Sequence, residues 1–73
     1  MAEQVDHPAH YGGAENPYEA IKVIEAWGLG FCLGNAIKYI CRAGRKSDAT
    51  ATDLRKAMWY LNHEIERLEK NEG

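Results

Sequence analysis

An all-α fold, a small three-helix domain with an irregular N-terminal arm and a long C-terminal helix, is what this 73-residue sequence predicts. Three observations predict it. Apolar residues recur at helical spacing in three segments, helix-start signals precede the first and the last of them, and glycines or polar runs separate them. Seventy-three residues leave room for one domain, read as an arm over 1–15 followed by a single helical unit over 16–73.

The arm has scarcely any large aliphatic residue besides Val5 and ends in the turn-forming pair Gly12-Gly13. It can build no core of its own and must dock on something or stay mobile. Asn16 is a suitable N-cap, Pro17 suits the first helical position and Glu19 sits where a capping-box carboxylate would. A first helix is therefore expected to run to about Trp27, with Ala20, Ile21, Val23, Ile24 and Trp27 at helical spacing and Gly28 placed to stop it.

The glycine-broken "GLGFCLG" is ambiguous, and the preferred reading starts a second helix near Phe31 and ends it at Gly44. Leu33, Ile37, Ile40 and Cys41 are expected to face inward. "RKSDATAT" reads as a polar loop, after which Thr50 and Asp53 have capping-box spacing. Leu54, Ala57, Met58, Leu61, Ile65 and Leu68 then form one apolar stripe. A third helix of about 20 residues would be roughly 30 Å long, against a radius of gyration of about 11 Å for a compact chain of this size. It should overhang the rest, and Trp59 and Tyr60, beside the stripe, could pack on a second subunit or under the first helix.

A chain this short buries a poor fraction of its surface alone, so a homo-oligomer is expected. Cys32 and Cys41 fit neither a disulfide framework nor a zinc ribbon. No apolar run reaches the roughly 20 residues a membrane span needs, and the N-terminus lacks a signal-peptide layout, so a location in the cytoplasm is expected. The net charge of -2 argues against coating nucleic acid by bulk charge.

Local charge tells more. "NAIKYICRAGRK", residues 35–46, concentrates Lys38, Arg42, Arg45 and Lys46. Lys38 and Arg42, four apart, share a helix face with Asn35, and like charges at that spacing repel. Complementing the helix C-terminus or pairing with a carboxylate such as Glu25 would account for them structurally. The functional reading puts Lys38, Arg42 and Lys46 on a phosphate, Arg as a planar fork and Lys as a point charge. "HPAHY" adds His7, His10 and Tyr11, which can donate to phosphate or stack on a base. A metal site is not expected, because the proline between the histidines argues against a helical pair and further ligands are remote. Glu64, Glu66 and Glu69 read as a solvated face. No Walker loop, nucleophile elbow or His-Glu-x-x-His motif is present.

Together "HPAHY", "YEAIKVIEAWGLGFCLGNAIKYICRAGRK" and "DLRKAMWYLNHEIERL" resemble the SaV-like family of small bacteriophage proteins, a domain of unknown function that includes a podophage nucleotide kinase. The family's elements map onto His7, Pro8, His10, Tyr11, Asn35, Lys38, Tyr39, Arg42, Gly44 and Lys46. The resemblance implies nucleotide handling. The podophage kinase is longer than this core, so binding rather than kinase activity is the first expectation. The expected function is a phage protein, in the host cell cytoplasm, that binds a nucleotide or a cyclic nucleotide signal in a basic pocket and so keeps it from host defence. His7, His10, Tyr11, Asn35, Lys38, Arg42 and Lys46 are the candidate ligand-binding residues, no catalytic residue is assigned and no cofactor is expected. The alternatives are a nucleotide kinase or other phosphoryl-transfer enzyme, and a module that grips a host protein or DNA.

Overall fold

In the computed structural model, which describes residues 7–45 and 50–72, three helices follow a short 3-10 turn at Ala9–Tyr11. They are α1, Ala20–Ala26; α2, Phe31–Arg42; and α3, Thr50–Glu72. The fold is all-α, as the spacing predicted. Helix α2 is the hub, with α3 as its main partner and α1 and the 3-10 turn packed on it as well. Phe31 meets Tyr60 at one end of the pair and Arg42 meets Asp53 at the other, so α2 and α3 run antiparallel.

Helix α1 starts later than the capping signals predict. Asn16 does act as a local cap, its Oδ1 accepting from the Tyr18 amide at 2.8 Å, but it closes a turn ahead of the helix. Glu19 has extended backbone at ψ 140°, and the helix begins only at Ala20. The physical reason is the Glu19 side chain, which is buried rather than reaching back to cap. The stop is as expected: Gly28 adopts φ 65°, and the amides of Gly28 and Leu29 donate to the carbonyls of Glu25 and Ile24. That pairing satisfies two orphan carbonyls and needs a left-handed residue, which glycine supplies without a Cβ penalty.

Helix α2 ends at Arg42, two residues before the glycine expected to stop it. Ala43 and Gly44 form the centre of a turn closed by the Arg45 amide on the Arg42 carbonyl at 2.9 Å. Its buried residues are small, Gly34 and Ala36. A Cβ at Gly34 would stand 3.3 Å from Ile24 Cγ2, so the glycine lets α1 approach closely. Leu33, Ile37 and Cys41 are half-buried, whereas Ile40, expected inside, is 50% exposed.

Helix α3 also departs from expectation. Its α2-facing stripe is Asp53, Ala57, Tyr60 and Glu64, and of the predicted apolar stripe only Ala57 is buried. Leu54, Met58, Leu61, Ile65 and Leu68 are between 38% and 59% exposed. The packed stripe is thus displaced by one residue, about 100° around the helix. Alanine at 57 lets α2 come close, and Arg42 draws Asp53 inward. Among the described residues no helix is long and apolar enough to cross a membrane.

Candidate functional site

The arm docks. From residue 7 onward it lies against α1 and α2 through polar contacts. His7 Nδ1 stands 2.6 Å from Glu19 Oε2, and Lys22 reaches the other Glu19 oxygen at 3.5 Å. The Cys41 thiol donates to the His10 carbonyl at 3.8 Å, and the His10 and Tyr11 rings lie 4.3 Å apart. Gly12 permits this path: its φ is 113°, and a Cβ there would stand 2.9 Å from Glu19 Cα.

Arg42 ties the arm to both long helices. Its Nε donates to Asp53 Oδ1 at 3.0 Å and its Nη1 to the Tyr11 hydroxyl at 3.3 Å. These bonds hold the guanidinium above its ordinary range, the Tyr11 contact contributing most and the Asp53 carboxylate adding to it. Asp53 is only 1% exposed and accepts from Arg42 through Oδ1, a tertiary partner that its capping-box spacing with Thr50 does not indicate. The Glu25 partner considered for these cations is not the one used. Among the described residues, Oδ2 of Asp53 and Oε1 of Glu19 have no hydrogen-bond donor. Two buried carboxylates therefore brace the arm, Asp53 with one oxygen left over and Glu19 with its second oxygen in ion-pair reach of Lys22 alone.

The remaining candidates are distributed differently. Asn35 donates to the Phe31 carbonyl at 2.9 Å, and Asn35 and Lys38 share an open groove of about 390 Å³ with Ile24, Leu29, Phe31 and Gly34. Lys46 lies outside the described residues. His7, His10, Tyr11 and Arg42 belong to the arm cluster and do not line that groove.

A centre that was not among the candidate ligand-binding residues, although the family's elements include it, is the Tyr39 ring. Lys38 Nζ lies 4.9 Å from its centroid, Lys56 Nζ 5.4 Å and the Arg42 guanidinium carbon 5.8 Å. Each distance is within cation–π reach. The ring runs nearly parallel to Tyr60 at 6.0 Å, and Tyr60 meets Trp59 edge-on at 5.0 Å. Tyr39, Lys56, Trp59 and Tyr60 line a cleft of about 300 Å³, at the lower end of small-molecule sites. Such a cleft can stack a flat ring and neutralise an anion beside it. Lys56 was missed because it comes near Lys38 only through the register of α3 on α2. Its one signal in sequence is the i,i+4 spacing to the aromatic Tyr60.

At the far end of the pair, Glu64 and Arg67 form two hydrogen bonds at 3.1 and 2.6 Å. Arg67 holds Glu64 below its ordinary 4.5, chiefly through these hydrogen bonds. Glu64 thus belongs to the α2-facing side rather than to a freely solvated face, while Glu66 and Glu69 are exposed. Among the described residues no three His, Cys, Asp or Glu side chains are placed to share a metal ion.

Residues 5–62 match a family described as a protein of unknown function (DUF3310). The chain is also 47% identical over 68 residues to the Gene 1.7 protein of Enterobacteria phage T3, an alignment that takes in 82% of this chain. It spans about 40% of that curated relative's length. No solved structure matches it.

Proposed function

The chain belongs to the DUF3310 family, whose function is unknown, and from that premise and the cleft beside Tyr39 we propose that it binds a nucleotide or a cyclic nucleotide signal. The observation that carries the reading is the gathering of Lys38, Lys56 and Arg42 around one tyrosine ring, next to an aromatic recess. A nucleotide presents a flat π-face and a nearby phosphate. Tyr39, Tyr60 and Trp59 match the first, since stacking on aromatics is indifferent to base identity. Lys38 and Lys56 match the second as mobile point charges. Arg42, already held by Asp53 and Tyr11, fixes the ring's surroundings and links the cleft to the arm.

In a relative of a phage protein, such binding would withdraw a nucleotide signal from the host. Isothermal titration against mono-, di-, tri- and cyclic nucleotides tests the reading. Heat is expected from at least one of them, at least tenfold weaker in Lys56→Ala and in Tyr39→Ala, with circular dichroism unchanged. Absence of heat from the whole panel overturns it. Chromatography of a nucleoside monophosphate incubated with a triphosphate then separates holding from phosphoryl transfer.

A further inference from the structure

Helix α3 carries a second, unused face. Leu54, Met58, Leu61, Ile65 and Leu68 are spaced 4, 3, 4 and 3 residues apart, the repeat of a coiled-coil seam. All five are between 38% and 59% exposed, because α2 packs on the neighbouring stripe. A seam of this regularity, about 21 Å long, is unusual on a surface that faces only water.

The whole molecule has surface to spare. A compact monomer of 8.2 kDa exposes about 4,500 Å², whereas this chain exposes 5260 Å². The surplus is similar to the roughly 800 Å² that each partner contributes to a stable interface. Its radius of gyration, 13.7 Å, likewise exceeds the roughly 11 Å of a compact chain.

We propose that this seam binds a second copy of the chain, α3 against α3 in antiparallel orientation about a two-fold axis at Leu61. The spacing is close to palindromic about that residue. Leu54 falls opposite the partner's Leu68, Met58 opposite the partner's Ile65, and Leu61 opposite the partner's Leu61. Charge selects the direction. On the flank of the seam away from α2 stand Arg55, Asn62 and Glu69, all exposed. Antiparallel pairing places Arg55 beside the partner's Glu69, twice by symmetry, and Asn62 beside the partner's Asn62. Parallel pairing would instead bring Glu64 towards the partner's Glu69, like against like. Two α2–α3 hairpins joined this way make a four-helix bundle. Lys56 and Trp59 lie off the seam, so the cleft beside Tyr39 stays open. The pairing is independent of any ligand there.

Light scattering on the full chain at micromolar concentration tests the proposal, with a particle of two copies, or an even multiple, expected. A mass of one chain, 8.2 kDa, overturns it. Met58→Lys with Ile65→Lys should lower the particle mass while circular dichroism keeps the helices; an unchanged mass overturns the seam. Should that variant lose its helices, the charge pair decides. Arg55→Glu or Glu69→Arg alone should weaken association about tenfold, and the two together should restore it. Within one helix these residues are about 21 Å apart, beyond the screening length of about 8 Å. Restoration therefore reports a contact between chains. No restoration overturns the antiparallel arrangement.

Discussion

The Asp53 carboxylate shows how one residue's partner is set by the fold rather than by its neighbours. It sits at capping-box distance from Thr50, yet it is buried with one oxygen on Arg42 and the other without a donor among the described residues. Removing the arginine leaves a buried charge uncompensated, whereas removing both members leaves none. Arg42→Ala should lower the melting temperature more than Arg67→Ala does, and Arg42→Ala with Asp53→Ala should recover part of the loss; thermal denaturation of the three variants checks it. Glu64 gives a pH dependence. Its folded value is depressed by Arg67, so the pair's contribution is complete above the unfolded value near 4.5 and is lost as pH falls through the lower folded value. Arg67→Ala should therefore flatten the acid side of the stability profile followed by denaturant titration. Of the residues chosen from sequence, Lys38 was placed by its helix position alone. Lys56 became visible only when α3 lay on α2.

Among the elements, α2 starts where the preferred reading of an ambiguous stretch put it, and α1 departs furthest from its signals. Phe31 opens α2 as expected, because the glycines before it leave no competing helix. For α1, Asn16 and Pro17 are local signals, but the turn they build is separate from the helix. Glu19 turns inward to His7 and Lys22, and that tertiary choice delays the first helical residue to Ala20. Docking of the arm depends on Gly12, where both the left-handed backbone and the 2.9 Å approach to Glu19 Cα exclude a side chain. Gly12→Ala should destabilise the fold by about 1–3 kcal/mol, read as a shifted denaturation midpoint. Closer to the helix pair, Ala57 is buried where α2 packs. Ala57→Leu should cost about 1–3 kcal/mol by overpacking, in the same assay.

Across the whole molecule the balance of surface is the main fact. The described hydrophobic residues that are fully buried are alanines, Ala20, Ala36 and Ala57, while Phe31, Trp27, Trp59 and the α3 seam remain open to solvent. A core of alanines supplies little transfer free energy, since burial stabilises in proportion to apolar area. If a second copy covers the seam, mass action ties stability to protein concentration. The melting temperature should rise by several degrees between dilute and concentrated samples, and Met58→Lys with Ile65→Lys should abolish the rise. Scanning calorimetry at two concentrations distinguishes the cases.

By itself the sequence determined three helices, stops near glycine for the first two and an apolar stripe along the third, because spacing and backbone freedom are local properties of the chain. Only the tertiary structure decided which stripe of α3 meets α2, that Arg42 belongs to Asp53 and Tyr11, and that Lys56 joins Lys38 beside Tyr39. Those outcomes rest on the register between helices. A one-residue rotation of α3 exchanges a polar, alanine-centred face for a leucine-rich one, and the burial of Asp53 against Arg42 fixes that rotation across a chain separation that no local pattern records.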